Sequence, residues 1–509
     1  MSFRATVRVA AAAIALSAAA NVAAPAGAVP SRSGVHHPVN GGVLLSEWDG
    51  TARSPGWVRA ENQRPGTEQW KLTSRSDVAF IEGYARTTSA TPGTEVALYV
   101  NTAAATFVAE VYRMGWYGGD RGRLVWESGE VTGIRQSVPV RDRRTGLARA
   151  DWTPSLTVPI GDDWLPGNYL VKLVSLGGDQ TYVPLTVRDD SAVAQLLVLN
   201  AVTTWQAYNR WGGCSLYSCR GVKGLTRAVK VSFDRPYDRN VTRGAGQFLE
   251  NELPLVAFAE EQGIDLAYAT SIDLHQNPNI VTSVKGILSL GHDEYYSTAM
   301  RGALVNARSA GRNLAFFGAN AVYRHIRLEP ASDAVADRVV VNYRRRRLDP
   351  ARFTQPSEVT LNWRAKGKPE AGLVGIQYAC PLRSADLVVR DPSHWIWSGT
   401  GVVRGTRLRG LIGVEADALG WGTPSKLDLL SASPIRCGRR TVIARTSYYS
   451  TSAGAGVFAT GTIRWICALD PTPCSAQSAT ATVRIATANV LAAFSAGPAG
   501  LTHPSAGRR

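Results

Sequence analysis

The sequence of 509 residues lacks the short signatures of several large enzyme classes. No G-x-S-x-G occurs, so no strand-to-helix elbow presents a serine nucleophile. H-E-x-x-H and G-x-x-x-x-G-K-[ST] are also missing, which removes the zinc-protease pair and the phosphate loop. No cysteine follows the apolar segment Gly286–Leu290, which excludes the thiol mechanism common in amidotransferase-like sheets. Histidine is scarce, and no two histidines sit near the cysteines at zinc-ligand spacing, which argues against a zinc site. Beyond residues 9–24 no apolar run is long enough to span a bilayer. No internal repeat is present.

What is there is mostly globular. With 45% hydrophobic and 19% charged residues, the chain has ample apolar surface to bury. Its length exceeds a single core, so two or three domains are expected. The formal charge is +16, carried mainly by scattered arginine. Its one dense run is Arg344 to Arg347. Scattered arginine reads first as a solvated surface and second as adhesion to an anionic envelope. No nucleic-acid recognition motif accompanies it, so no nucleic-acid partner is expected.

Arg4 and Arg8 precede the apolar run, and Ala26-Gly27-Ala28 fits a small-x-small cleavage site. Residues 1–28 are therefore expected to be an export signal cleaved after Ala28. The mature protein is expected to be secreted or in the cell envelope, without a transmembrane anchor. Residues 29–43, rich in Pro, Gly, Ser and His, read as a disordered linker. The six cysteines are even in number, as in disulfide-bonded exported chains. Sequence proximity favours Cys214–Cys219 and Cys467–Cys474, leaving Cys380 with Cys437, among about 15 possible pairings.

Residues 44–189 show short alternating segments separated by Pro and Gly. Glu95–Val100, Phe107–Tyr112, Leu124–Glu127, Tyr169–Val174 and Tyr182–Val187 read as strands. The spacing predicts an immunoglobulin-like β-sandwich. The aromatic loop at 113–119 reads as a packed corner or as a ligand platform. From residue 190 to 474 the grammar changes to strands alternating with helices. Ala194–Leu199, Leu266–Ala269, Gly286–Leu290 and Asn313–Phe317 read as buried strands, with helices at Phe248–Gln262 and Ser297–Ala310. This predicts an α/β, doubly wound parallel sheet of the flavodoxin-like, amidotransferase-like kind. Val359–Trp363, Gly372–Gln377 and Leu411–Val414 are strand-like, and Val457–Trp465 leads into a late helix. Residues 475–509 read as a terminal helix near Val483–Phe494 and a tail.

Ligands in open α/β sheets bind beyond the carboxyl ends of the strands. Asn200 with Tyr208 and Asn209, then Asp273 with His275, then residues 291–297, then Asn320, follow the four strands directly. Gly291-His292-Asp293-Glu294-Tyr295-Tyr296-Ser297 is the densest. It sets an imidazole, two carboxylates and two phenols on one turn. Asp293 or Ser297 could instead only cap a helix, and the tyrosines could be core. So rich a polar cluster after a buried strand costs stability unless something uses it.

Several segments carry a family resemblance. They are T-W-Q-A-Y-N-R-W-G-G (204–213), G-H-D-E-Y-Y-S (291–297), G-R-N-L-A-F-F-G-A-N (311–320), W-S-G-T-G (397–401), G-V-E-A-D (413–417) and A-G-A-G-V-F-A-T-G-T-I-R-W (453–465). Together they resemble the C-terminal domain of the large (β) subunit of N,N-dimethylformamidase over about 190–495. Y-R-M-G-W-Y-G-G (112–119) is similar to the sandwich that precedes this domain in exported relatives. The resemblance implies one iron ion (Fe3+) held by two tyrosines and a glutamate. Tyr295 is then the first candidate phenolate, Tyr208 or Tyr296 the second, and Glu415 or Glu294 the carboxylate. Hard oxygen ligands suit a ferric ion that activates water. The amidase is an intracellular assembly with a small partner subunit, and this chain departs from it in its export signal and cysteines.

Two functions follow. In the first, an amide C–N bond is hydrolysed by metal-activated water. His292 or Asp293 handles protons, and Asn320 or Asn209 binds the developing oxyanion. In the second, the chain is a non-catalytic envelope or glycan-binding protein whose 14 tryptophans stack sugar rings. The expected ligand is a small amide in one case and a glycan in the other.

Overall fold

The computed structural model describes residues 50–73, 81–220, 222–470, 474 and 476–507. The expected export signal and linker, and the start of the expected sandwich, lie outside the described residues. Glu47–Arg509 forms one compact unit, mixed α/β with several sheets.

The first part of the unit is built of strands with one apolar face. Along Glu95–Thr102 every second residue is buried, the period-two pattern of a half-covered strand. Ile81–Ala85, Glu95–Thr102 and Leu156–Pro159 make one antiparallel sheet. Gln180–Val187, Gly167–Ser175, Thr106–Met114 and Gly122–Glu127 form the body of a second. Val96, Leu98 and Val100 of the first share a core with Val111, Val171 and Leu173 of the second. The five strands expected from sequence are all present, each lengthened at one end or both.

The corner at 113–119 is packed. Tyr117 is buried and donates through Oη to Glu61 Oε1 at 2.6 Å. Arg113 Nη2 reaches Glu260 Oε1 at 2.7 Å, and both side chains are fully buried. Glu260 belongs to the helix Leu253–Glu261, so this ion pair ties the sandwich to the sheet that follows.

That sheet holds five parallel strands. Leu266–Thr270, Leu196–Asn200, Gly286–Gly291, Asn313–Gly318 and Gly456–Ala459 lie side by side in that order. Ser447–Ser450 and Leu427–Leu429 continue it antiparallel. The central strands are buried along their whole length, as expected where helices cover both faces. Leu196 and Val198 pack with Leu255 and Phe258 of the helix Leu253–Glu261. Leu197 and Leu199 point the other way, to Met300 and Leu304 of the helix Thr298–Ser309.

Three sequence expectations differ in detail. The single helix expected at Phe248–Gln262 is two, Phe248–Asn251 and Leu253–Glu261. Pro254 has no N–H to continue a ladder, and the break lets Glu252 accept from Asn200 Nδ2 at 2.6 Å and Ala201 N at 3.1 Å. Val359–Trp363 is not a strand, because the Thr360 N–H is committed to the Asp349 carboxylate at 2.7 Å. Gly372–Gln377 begins inside the short helix Ala371–Val374.

The bridges are Cys214–Cys219, Cys380–Cys437 and Cys467–Cys474, the pairing that proximity favoured. Among the described residues no helix is long and apolar enough to cross a membrane.

Candidate active site

Residues 291–296 leave the carboxyl end of the Gly286–Gly291 strand against two neighbouring connections. Gly291 has φ 49°, and a Cβ there would lie 2.4 Å from the Asn251 carbonyl oxygen. A Cβ on Gly318 would lie 1.8 Å from the Gly291 carbonyl oxygen. Only glycine lets the two connections run this close. On one side, the helix Val202–Tyr208 pins the turn: Thr204 Oγ1 accepts from Glu294 N at 3.0 Å and Thr203 Oγ1 donates to Tyr295 O at 2.8 Å. On the other, Val322 N donates to Asp293 O at 2.9 Å and Arg324 N to Glu294 O at 2.8 Å.

Pinned this way, alternate side chains take opposite directions. Asp293 and Tyr296 turn inward, where the Tyr296 hydroxyl and Ser289 Oγ both donate to Asp293 Oδ2. Tyr296 packs with Met300 and Phe316. The structure thus withdraws Asp293 from the expected proton-handling position and Tyr296 from the expected ligand set. Burial pushes Asp293 up to about 6, against its hydrogen bonds and the charge of His292.

His292, Glu294 and Tyr295 converge with residues from elsewhere. Tyr208 Oη lies 2.8 Å from Glu294 Oε2 and 2.7 Å from Tyr217 Oη. Tyr217 Oη lies 2.8 Å from the same Glu294 oxygen. Tyr295 Oη donates to Tyr217 Oη at 2.9 Å and accepts from Arg344 Nη2 at 3.0 Å. Arg324 Nε reaches Glu294 Oε1 at 3.2 Å. His292 Nε2 stands between two carboxylates, 3.5 Å from Glu294 Oε2 and 3.2 Å from Glu415 Oε2. That Glu415 oxygen is buried and has no partner besides this His292 contact. The group is closed below, with Glu294 1% exposed, and reaches solvent past Tyr217, 40% exposed.

The electrostatics follow from burial and crowding. Burial, then Glu294, Tyr217 and Tyr295, hold Tyr208 well above the usual phenol range; burial, then Tyr295 and Glu294, do the same for Tyr217, with the hydrogen bond from Tyr208 opposing. Burial also raises Tyr295, with Glu294 adding to it and Arg344 and Arg324 opposing. Burial alone would lower His292; Glu294 and Glu415 hold it up instead, to about 10. Burial alone would raise Glu294; His292, Arg324 and Tyr208 bring it below the usual carboxylate range. His292 and Glu294 thus form an ion pair.

The remaining expected residues fall into two kinds. Asn320 is near: its N–H donates to Asp417 Oδ1 at 2.9 Å, two residues from Glu415, and its own Oδ1 is buried without a hydrogen bond. Asn209 is structural. Its Oδ1 accepts from Trp211 N and Asp238 N, and its Nδ2 donates to Gln206 Oε1 and Pro236 O. Asp273 closes a capping box with Thr270 and pairs with Arg188, and His275 bonds Ser297 Oγ.

Tyr217 was not singled out from the sequence, nor were Arg324 and Arg344 as site residues. The available signal for Tyr217 was its place inside C-S-L-Y-S-C (214–219), a loop whose closure by Cys214–Cys219 leaves a side chain few directions.

Among the described residues no three His, Cys, Asp or Glu side chains are gathered to hold a metal ion. A metal here would have to use the phenols. Tyr208 Oη, Tyr217 Oη and Glu294 Oε2 lie 2.7–2.8 Å apart, close to the spacing of oxygens sharing one ion at bonds of about 2 Å.

No curated protein matches this chain. Among solved structures, a Paenibacillus sp. cycloisomaltooligosaccharide glucanotransferase complexed with cycloisomaltoheptaose is similar at 10% identity. The match covers 37% of this chain and 27% of that one with a TM-score of 0.14, and at that score the likeness carries no argument. The family comparison is of another order, matching residues 108–479 from the second sandwich sheet through the last disulfide, so the chain belongs to the N,N-dimethylformamidase beta subunit-like, C-terminal family.

Proposed function

We propose that the protein hydrolyses an amide C–N bond with water activated at a single ferric ion. The observation that carries this reading is the mutual approach of Tyr208, Tyr217 and Glu294 oxygens beside a buried His292. These three residues would hold the ion, with Tyr295 hydrogen-bonded behind Tyr217. The donor set is all hard oxygen, which suits Fe(III), and the ion when bound supplies Lewis acidity that makes water a nucleophile near neutral pH.

The chain's own residues do the rest. His292 Nε2 faces the Glu415 oxygen, which has no other partner. That pair can take a proton from water and return it to the leaving nitrogen. Asn320, whose backbone N–H is bound by Asp417, would hydrogen-bond the amide as charge develops on its oxygen. Arg324 and Arg344 compensate the charge of Glu294 and of Tyr295.

Export belongs to the same reading, supported by the three disulfides. So do the immunoglobulin-like and flavodoxin-like assignments and a domain boundary near residue 189. The sheet supports the second assignment, since its five parallel strands run 2-1-3-4-5 in chain order. The glycan reading has less support: Trp57, Trp363, Trp397 and Trp465 are fully buried and cannot stack on a sugar.

The test is metal analysis of the purified protein with an amide-hydrolysis screen. One iron per chain, lost in Glu294→Gln together with hydrolysis, is the expected result. Protein that folds, takes up no iron and cleaves no amide would sink the proposal.

A further inference from the structure

The sequence singled out the run Arg344–Arg347, and the proposed reaction leaves most of it unused. Its first residue lies at the mouth of the site. The Arg344 guanidinium sits 4.4 Å from the Tyr217 ring centre and donates to Tyr295 Oη. Its backbone is in the left-handed region at φ 62°, and its Nε is steadied by Asn342 Oδ1 at 3.2 Å. A non-glycine residue held this way stores strain of about 1 kcal/mol or more, which the surroundings must impose.

Arg344 has cationic company. Arg227 feels neighbouring charges: burial first, and then Arg344, Arg324 and Arg345, lower it to about 10, with Tyr295 opposing. Arg227 Nη2 donates to the Tyr343 carbonyl at 3.1 Å, but its Nη1 is buried and has no hydrogen-bond partner. One carboxylate answers this group: Glu294, which pairs with Arg324. Among the described residues no Asp or Glu forms an ion pair with Arg227, Arg344 or Arg345.

Elsewhere several buried arginines of the same fold are satisfied. Arg113 pairs with Glu260, and Arg338 with Asp234. Arg235 is saturated by Gln206 and the carbonyls of Trp211, Cys214 and Asn209. Arg301 and Arg445 each keep one buried Nε without an acceptor, as Arg227 keeps Nη1, but the mouth differs in setting such a guanidinium among other arginine charges. Like charges brought together at a partly buried site repel, and a guanidinium N–H without an acceptor costs about 1–3 kcal/mol. Both penalties vanish if an anion seats there.

We infer that Arg227, Arg344 and Arg345 form a carboxylate-binding subsite at the mouth, and that the substrate is an amide carrying a carboxylate. The second half rests on the amide-hydrolysis reading; the subsite does not. Guanidinium forks bind carboxylates through paired N–H donors, and here the Arg344 fork stands over Tyr217 and bonds Tyr295, beside the reacting group. A carboxylate held by them sets its amide toward His292 and Glu415. A neutral amide of the same size loses that grip.

Calorimetric titration with N-acetylglycine and with its neutral analogue N-acetylglycinamide tests this, on iron-loaded and iron-depleted protein. The acid is expected to bind at least about tenfold tighter, in both forms of the protein and less so at high salt. Arg344→Gln and Arg227→Gln are each expected to remove most of that preference, and Arg227→Gln, which touches no residue of the proposed ion site, to change neutral-amide binding less than about twofold. Arg345 is exposed, so Arg345→Gln puts folding at little risk, and it is expected to weaken the acid about threefold. Equal binding of the two compounds, or a preference that survives all three substitutions, overturns the subsite. Selective acid binding without amide cleavage by any form supports the subsite and removes only the amide reading.

Discussion

Tyr217 stacks on Tyr208 with ring centres 4.3 Å apart, and both hydroxyls meet the same Glu294 oxygen. One phenol comes from the helix after the first parallel strand and the other from a disulfide loop.

If this pair holds iron, Tyr217→Phe removes one oxygen ligand and keeps the stack. The variant should lose iron and the visible phenolate-to-iron absorbance, with melting temperature changed little. Tyr296→Phe is the contrast. Its hydroxyl bonds Asp293 inside the core, so loss should cost about 1 kcal/mol of stability and leave iron and colour intact. Metal analysis and absorbance on both proteins decide. Retained iron in Tyr217→Phe, or lost iron in a folded Tyr296→Phe, contradicts the geometry.

The disulfides should separate stability from function. Cys214–Cys219 closes a short loop and Cys380–Cys437 spans a separation of 57 residues. Chain-entropy arithmetic gives about 2 kcal/mol for the first and about 4 kcal/mol for the second. Replacing both cysteines of each pair by alanine should therefore hurt stability more at Cys380–Cys437. Iron retention should follow the opposite order, because only the Cys214–Cys219 loop presents Tyr217. Urea midpoints and iron content of the two double variants, compared at one temperature, check both orders.

The sandwich and the sheet should prove energetically coupled through Arg113 and Glu260. Glu260 also accepts from Asn62 Nδ2 at 2.8 Å and from Tyr268 Oη at 2.6 Å. Removing it strands a buried guanidinium, so Glu260→Ala should cost about 3–5 kcal/mol. Gly115→Ala is the subtler probe. Its Cβ would fall 2.1 Å from Glu260 Oε2, so the smallest side chain should displace the carboxylate. Denaturation curves should show both variants markedly destabilised; a neutral Gly115→Ala would mean that the pair is not held as described.

Much of this was legible in the sequence, and the exceptions share a cause. Strands such as Gly286–Gly291 announce themselves because they are apolar throughout, and the polar turn after one marks a rim. Local pattern also shows that His292, Glu294 and Tyr295 matter. It does not show which way each points, since Asp293 and Tyr296 look equally chemical and are turned into the core by Ser289 and the Thr298–Ser309 helix. Tyr217, Arg324 and Arg344 reach the site from three separate connections, and no periodicity links them to it. Glu252 shows the same limit in the fold: a helix-forming residue leaves the helix to serve Asn200 and Trp205.

Asp417 offers a test through pH. It is 2% exposed, and the Asn320 N–H is bound to its Oδ1. Burial, helped by the Glu415 and Glu370 charges and opposed by that N–H and by Arg364, pushes it up to about 8. The unfolded chain releases this proton near pH 4, at about the ordinary aspartate value. Between about pH 4 and about pH 8 the folded state thus binds one proton more, and stability contributed by this group falls as pH rises through that window. Asp417→Asn keeps an acceptor for Asn320 and never ionises, so it should be free of this slope. Melting measured across the window should show the variant gaining on the wild type as pH rises. A constant difference would mean that Asp417 is already ionised in the folded protein, and that the anchor beneath Asn320 is a carboxylate rather than a neutral acid.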